Sequence, residues 1–190
     1  MKRREFLKLP IAAAALATIG RSAENMASKQ GRSEAGFGVK AHQDRSGEEL
    51  LIMGGTFNLK VSGRDTGGDL CIYDTFREAK GGPALHRHFN QDEWFYVIRG
   101  QFVVRVGDNT FAIGPGDSAF APRRIAHAFA MTGDGPGQML VLFQPAGSME
   151  AFFREMSEKF GRGIPQGQDA AMRQLWAAHG MEMVGPPLAL

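Results

Sequence analysis

Short runs of β-branched and aromatic residues, each ended by turn-forming residues, follow one another through the middle of this 190-residue chain. Between residues 49 and 145 the runs are ELLIMGGTFNLKVSG, DLCIYDTF, WFYVIRG, QFVVRV, TFAIGPGD, HAFAMTG and QMLVLFQP. The sequence shows no crossover helix between them and no phosphate-binding glycine loop. Short strands at this spacing are typical of antiparallel sandwiches and barrels. We therefore predict an all-β domain with one hydrophobic core, which is what this chain length allows.

The pattern changes after the last of these runs, where apolar residues recur at helical spacing. The first predicted helix begins behind a cap at Ser148 and ends at Gly161. Its apolar positions are Met149, Phe152, Phe153, Met156 and Phe160. The second predicted helix spans Asp169 to His179, and we expect both helices to pack against the outside of the sheet. We assign residues 48–146 to the barrel and residues 147–190 to a C-terminal helical extension.

The N-terminal segment, residues 1–22, has the layout of an export signal. Arg3 and Arg4 begin a basic stretch that resembles a twin-arginine signal, and the apolar stretch behind it is shorter than the about 20 residues needed to span a bilayer. We expect a periplasmic or extracellular protein; a cytoplasmic protein with a chance amphipathic start is the alternative. Residues 23–47, rich in polar residues and glycine, are predicted to be a linker or arm.

Two histidines lie two positions apart in HRHFNQDEWFYVIRG, residues 86–100. In a strand, His86 and His88 point to the same face. Glu93 has the opposite parity to His88, but the turn formers in FNQD between them can reset the register. With that reset Glu93 faces the same interior as the histidines. Three metal-ligating side chains can therefore converge.

A fourth ligand is available in GDSAFAPRRIAHAFAM, residues 116–131. Pro122 ends a short strand, and His127 opens the next one, where it alternates with alanines and shares a face with Phe129 and Met131. An alternative is that the histidines and Glu93 are ordinary surface residues on loops. We favour the site, because a glutamate followed by WFYVI is costly to bury unless charged or polar groups receive it.

These two segments resemble the two sequence motifs of the cupin superfamily. The first consists of His86-x-His88, four residues, Glu93, six residues and Gly100. The second consists of Gly116, five residues, Pro122, four residues and His127. The chain departs from the motifs at Gly81, Arg124 and Met131, none of which is a ligand position. The resemblance implies a cupin β-barrel, the jelly roll also called a double-stranded β-helix, with two C-terminal helices.

The same resemblance implies one divalent transition metal bound by His86, His88, Glu93 and His127. Imidazole and carboxylate ligands suit Fe, Mn, Ni, Co, Cu and Zn, and we expect iron. An octahedral ion would keep two positions open for water, substrate or dioxygen. The expected substrate pocket on the ligand face consists of Phe95, Val97, Phe129 and Met131. We expect few charged residues on that face, which favours an aromatic or otherwise apolar substrate over a highly anionic one.

EWFYVIRG, with AGSMEAFFREM behind the barrel, resembles the single-cupin proteins called quercetin 2,3-dioxygenase-like. This resemblance implies a metal-dependent dioxygenase that acts on a flavonol-like or other enolic aromatic substrate. Glu93 would be the catalytic base that accepts the hydroxyl proton of the substrate. One alternative is a metal-dependent isomerase, hydrolase or decarboxylase that uses no dioxygen. Another is a cupin that binds a small molecule without chemistry.

The sequence also limits the macromolecular partners. The total charge is +2, and the first twenty residues carry four basic residues and one acidic residue, so the rest of the chain has a net charge of −1. We expect no nucleic-acid partner from this distribution. Cupins commonly pair through barrel edges, and Trp94, Tyr96 and Ile98 lie opposite Glu93. A homodimer would cover them, and packing within the barrel would explain them equally.

Overall fold

The computed structural model describes residues 31–161 and 170–190. The predicted signal, residues 1–22, lies outside the described residues. The strands of the first sheet are β1 (Leu50–Ile52), β2 (Gly55–Val61), β3 (Cys71–Arg77), β5 (Asp92–Arg99), β8 (Ser118–Ala121) and β10 (Gly137–Gln144). Those of the second are β4 (Ala84–His88), β6 (Phe102–Val106), β7 (Asn109–Ile113), β9 (His127–Met131) and β11 (Met181–Pro187). The helices are α1 (Met149–Phe160) and α2 (Ala170–Ala178).

The described strands form two antiparallel sheets. The strand order is β1-β2-β3-β10-β5-β8 in the first sheet and β11-β4-β9-β6-β7 in the second. Neighbours in each sheet are often distant in sequence, as β3 and β10 are, which is the connectivity of a jelly roll and not of a meander. The predicted all-β jelly roll with C-terminal helices is confirmed.

The hydrophobic core lies between the inner faces of the sheets. Buried and half-buried residues alternate along β10, where Met139, Val141 and Phe143 point inward. Opposite them in β5, Phe95 and Val97 have no exposed surface. This period-two pattern fixes the strand register, because a slip of one residue would turn every apolar side chain towards solvent. The same register decides which polar residues face inward.

Helix α1 begins directly after Ser148 and ends at Gly161, as predicted. The prediction that the helices pack against the outside of the sheet is wrong for both helices, because side chains of α1 and α2 line a cavity in the interior. The Phe153 ring lies 5.0 Å from the Phe57 ring and 4.8 Å from the Tyr73 ring, both on the inner face of the first sheet. The apolar period of a helix shows which face is buried but does not identify the surface against which it packs. The helices therefore close the space between the sheets.

Strand β11 was not predicted, because residues 147–190 were assigned to a helical extension. It pairs antiparallel with β4, with Met181 opposite His88 and Met183 opposite His86. Its sequence, MEMVGPP, contains glycine and two prolines, which are unfavourable in strand interiors. Pro187 follows a register shift and lies at the sheet edge, where a missing N–H group is tolerated. The C-terminal segment is thus part of the barrel sheet.

Residues 31–47 run along the outside of the barrel as an arm without a strand. Asp44 accepts a hydrogen bond from the backbone N–H of Leu59, and the Lys60 ammonium donates to the carbonyl of Gln43 at 2.8 Å. These contacts hold the arm against β2. Among the described residues, no helix is long and apolar enough to cross a membrane.

Candidate metal centre

Three strands bring the four predicted ligands to one point of the barrel interior. His86 and His88 share a face of β4, and His86 lies directly opposite His127 of β9. Three residues separate β4 from β5, and after this turn Glu93 is buried on the inner face of β5. One ligand atom from each side chain lies within 4.8 Å of the others. The reset of register that FNQD allows is therefore present in the structure.

The carboxylate of Glu93 lies at the centre of this cluster. Its Oε2 is 2.8 Å from Nε2 of His127, 3.1 Å from Nε2 of His88 and 3.8 Å from Nε2 of His86. All four side chains are buried. Nδ1 of His86 lies 2.8 Å from the carbonyl of Ala84, and Nδ1 of His127 lies 2.8 Å from the carbonyl of Ile125. Donation from Nδ1 to these carbonyls leaves Nε2 of both rings directed at the centre.

The surroundings of His88 show whether these residues fit a metal ion. Both of its ring nitrogens are buried without a hydrogen-bond partner, even though Nε2 is close to Glu93. The distance is short, but the angle does not suit a hydrogen bond. A buried imidazole without a partner is costly in a purely structural role, whereas an ion among the four side chains would use the lone pair of Nε2. The donor set fits a divalent transition metal.

A comparison with known families identifies the barrel. Residues 75–143 match the family described as "Cupin domain", a range that begins in β3, ends in β10 and includes all four ligand candidates. The match and the two antiparallel sheets identify the barrel as a cupin jelly roll. No curated protein matches the chain.

Several solved structures are similar to this cupin. KdgF from Halomonas sp. has 22% sequence identity and a TM-score of 0.47, over 58% of this chain and 94% of that chain. A mutant of Bacillus subtilis oxalate decarboxylase OxdC has 24% identity and a TM-score of 0.45, over 51% of this chain and 27% of that chain. The polyketide cyclase RemF from Streptomyces resistomycificus has 21% identity and a TM-score of 0.43, over 51% of this chain and 69% of that chain.

The protonation states in the metal-free cupin follow from the same contacts. Burial alone would raise the pKa of Glu93, but the surrounding imidazoles, His127 foremost, hold it well below its ordinary value. Burial alone would lower the pKa of His127, but the hydrogen bond with Glu93 has the larger effect and raises this pKa. Burial, together with the neighbouring His127, lowers the pKa of His86 to about 4. The contact between Glu93 and His127 thus shifts the two pKa values in opposite directions.

Three of the four ligand candidates line a cavity beneath the helices of the cupin. The strands contribute His86, His88 and Glu93, and the helices contribute Met149, Phe152, Phe153, Met156 and Trp176. The Trp176 ring lies edge-on to the His86 ring, with 4.7 Å between their centres. The cavity has a volume of about 40 Å³, which is room for a few water molecules.

The expected substrate pocket is only partly correct. Phe129 lines the cavity, whereas Phe95, Val97 and Met131 do not and are almost completely buried in the barrel core. Their parity was right, but they lie deeper in the barrel than the ligands.

The structure shows two further groups on the cavity that the sequence analysis missed, namely the helix side chains and Arg77. The inward direction of Arg77 could have been predicted from strand alternation, because it has the parity of Tyr73 and Thr75 in β3. It is as buried as they are. We expected few charged residues on the ligand face, and that expectation overlooked Arg77.

Proposed function

We propose that this cupin is a metal-dependent dioxygenase that acts on an enolic aromatic substrate. One observation carries the proposal: three imidazoles and a carboxylate converge beside a cavity whose remaining wall is apolar except for Arg77. Such a wall excludes bulk water and favours an apolar ring next to the ligands. A bound divalent ion would supply Lewis-acid chemistry and, if redox-active, electron transfer to dioxygen; iron is the expected metal.

Glu93 is the group that would accept a proton. Its carboxylate is ionised and has lone pairs for the hydroxyl proton of a substrate. The hydrogen bond with His127 lowers its basicity, so this contact must loosen before Glu93 accepts the proton. Oε2 is the acceptor atom, because it is the oxygen nearest to all three imidazoles. His86 and His127 keep their orientation during this transfer, since backbone carbonyls fix their Nδ1 atoms.

For a flavonol, the proposed reaction is balanced without an external reductant. The substrate loses its hydroxyl proton to Glu93 and is oxidised by dioxygen, and the heterocyclic ring is split. The ring carbon that bears the hydroxyl leaves as carbon monoxide with its own oxygen, both atoms of dioxygen enter the ester product, and the proton returns to the carboxylic acid group of that product.

The size of the cavity limits the substrates. A cavity of roughly 150 Å³ binds benzene in another protein, and the cavity of this cupin is about 40 Å³. An aromatic substrate therefore enters only when side chains of α1 or α2, such as Phe152 and Trp176, move away from the ligands. A single-ring substrate requires less of this movement than a flavonol does.

Metal content and oxygen uptake test the proposal together. We expect the purified protein to contain about one equivalent of metal and to consume dioxygen on addition of quercetin or a single-ring catechol. The Glu93→Gln variant serves as the test of the base: once metal analysis shows that it is loaded, it should lose most of the turnover. Full turnover by loaded Glu93→Gln would remove the base role.

The remaining outcomes favour the alternatives. A metal-loaded protein that converts substrate without oxygen uptake would be an isomerase, hydrolase or decarboxylase. Native protein without metal would favour a binding protein without chemistry.

Two further expectations remain predictions. We expect export through the twin-arginine-like signal, which a reporter fused to residues 1–22 would test by its cellular fraction. We also expect a homodimer that covers the outer face at Trp94 and Tyr96, and light scattering during size exclusion would measure its mass. The two side chains are half-buried and stack on each other at 5.6 Å in the single chain.

A further inference from the structure

Arg77, the last residue of β3, places a buried guanidinium group on the wall of the metal cavity. Its exposed fraction is 2%. Its Nη2 donates a hydrogen bond of 2.6 Å to the carbonyl of Met53, and its Nε is buried without a partner. The indole Nε1 of Trp176, on the helical side of the same cavity, is also buried without a partner. Two residues that line the cavity thus each have a buried donor without an acceptor.

The charge of Arg77 is not balanced within the described part of the chain. Five arginines there form ion pairs at or near the surface, namely Arg32, Arg45, Arg87, Arg123 and Arg154. Arg77 forms none of the ion pairs found among residues 31–161 and 170–190. Burial lowers its pKa to about 10, so it stays protonated at neutral pH. An unpaired buried charge is unfavourable, which raises the question of what balances it.

The barrel makes room for this side chain. Both cross-strand neighbours of Arg77 are glycines, Gly55 in β2 and Gly137 in β10. A Cβ atom at Gly55 would lie 3.2 Å from Cγ of Arg77 and 2.7 Å from the carbonyl of Phe76. A side chain at that position would therefore displace either the arginine stem or the strand. The position is fitted to an inward-pointing arginine.

Arg77 and the metal ligands share Phe129 as a neighbour on the cavity wall. Its Cζ is 5.8 Å from the centre of the Phe129 ring, and Phe129 is two residues along β9 from His127 on the same face. Residues at this spacing in a strand are about 6.6 Å apart. A ligand that touches both the metal ligands and Arg77 must therefore span more than one side chain of the cavity wall and carry a polar group at each end.

We propose that Arg77 binds a carboxylate of the substrate, while the hydroxyl end of the same molecule faces His86, His88, Glu93 and His127. The hydroxyl end rests on the proposed dioxygenase function, and the carboxylate end rests on Arg77 alone. The substrate class is then a hydroxylated aromatic carboxylate. With a divalent ion present, Glu93 and Arg77 leave two positive charges in the cavity, and the carboxylate of the ligand offsets one of them.

A structural role for Arg77 is the competing explanation. Met53, whose carbonyl accepts from Arg77, has a φ of 49° in the turn between β1 and β2, so the arginine could simply hold this turn. The hydrogen bond to Met53 uses one donor of Arg77, and the buried Nε still has no acceptor. The test must therefore measure charge selectivity and not stability alone.

Binding of a matched pair of probes provides this measurement. The acid 3,4-dihydroxybenzoate and its methyl ester share the catechol and differ in one negative charge. Titration calorimetry with zinc-loaded protein avoids turnover, because zinc has no redox chemistry. We expect the acid to bind at least about tenfold more tightly than the ester, as for a charge-assisted hydrogen bond.

Substitutions of Arg77 test whether the preference for the acid depends on this side chain. In Arg77→Met the ratio should fall to near one, and Arg77→Lys should keep part of it because the positive charge remains. Arg99→Met, which removes an exposed arginine of the same sheet, should leave the ratio unchanged. Thermal melting and zinc content confirm that each variant is folded and loaded.

The outcomes separate this inference from the proposed function. Equal affinity of the wild-type protein for acid and ester would overturn the carboxylate site even if no variant folds. A preference that persists in folded Arg77→Met, or the absence of binding by either probe to loaded protein, would also overturn it. Failure of the iron-loaded protein to consume dioxygen would refute the dioxygenase and leave the binding ratio intact.

Discussion

The metal cavity has one wall of strands and one of helices, and the two differ in what holds their side chains in place. On the strand side, His86 and His127 are fixed by the pairing of β4 with β9 and by backbone carbonyls at their Nδ1 atoms. On the helical side, Met149, Met156 and Phe152 are held by packing alone. Hydrogen-bonded strands determine the directions of ligands, whereas packed methionine and phenylalanine side chains can rearrange at modest cost.

This difference separates two roles within one cavity. The strand wall determines whether a metal ion binds, and the helical wall determines the volume left beside it. Substitutions on the strand side should therefore change metal affinity, and substitutions on the helical side should change stability and access.

The largest effect is expected for a ligand on the strand wall. His127→Gln removes one imidazole from the cluster and should reduce metal affinity by more than the about 10- to 100-fold that loss of an outer-shell partner costs. Metal analysis after dialysis and calorimetric titration with Zn²⁺ measure the loss. His42→Gln, at an exposed histidine of the arm, should retain full affinity. Equal metal content in the two variants would show that the cluster does not hold the ion.

A core substitution in the helical wall tests the other half of the comparison. Phe153 is 6% exposed and packs against Phe57, Tyr73 and Phe143. Phe153→Ala should lower the free energy of unfolding by about 3–5 kcal/mol and enlarge the cavity. Urea denaturation measures the change, with the exposed Phe120→Ala as the control. A loss of metal affinity in folded Phe153→Ala would break the division of roles between the walls.

The two tryptophans of the chain allow an optical test of where the walls meet. Trp176 lies 4.7 Å from the His86 ring, whereas Trp94 lies on the outer face of β5 and stacks on Tyr96. Cu²⁺ bound to the cluster should therefore quench mainly Trp176. The Trp176→Phe variant should lose most of the metal-dependent quenching, and Trp94→Phe should keep it. The opposite pattern would place the ion elsewhere.

The smallest effect is expected at the surface of the ligand strand. Arg87 of β4 and Glu182 of β11 form an exposed ion pair of 2.6 Å. Glu182→Gln should change the free energy of unfolding by no more than about 1 kcal/mol, because solvent screens such pairs. Urea denaturation at low and high salt measures this difference. A large loss of metal affinity would show that β4 depends on this pair and not on its backbone pairing.

The strand wall could be predicted from sequence because its signals are local. Parity in β4, the turn formers of FNQD and the position of His127 at a strand start each follow from a few neighbouring residues. Arg77 could have been found in the same way, by extending the parity of β3 to its last residue.

The helical wall could not be predicted at the same level. The spacing of Phe152 and Phe153 shows that one face of α1 is buried, but the packing partners lie in β2, β3 and β10, far away in sequence. Strand β11 could not be predicted for a related reason. Its glycine and prolines have poor strand propensity, and pairing with β4 overrides that propensity.

The position of β11 at the end of the chain affects when β4 becomes fully paired during synthesis and folding. Strand β4, which carries two ligands, pairs with β9 only at His86 and finds its other partners in β11. Met181 follows His88 by 93 positions, so at about 5–20 residues per second the ribosome needs on the order of 5–20 s to supply this partner. Until then the ligand strand is an incompletely paired edge. The candidate metal cluster is thus completed late, after the C-terminal strand has been made.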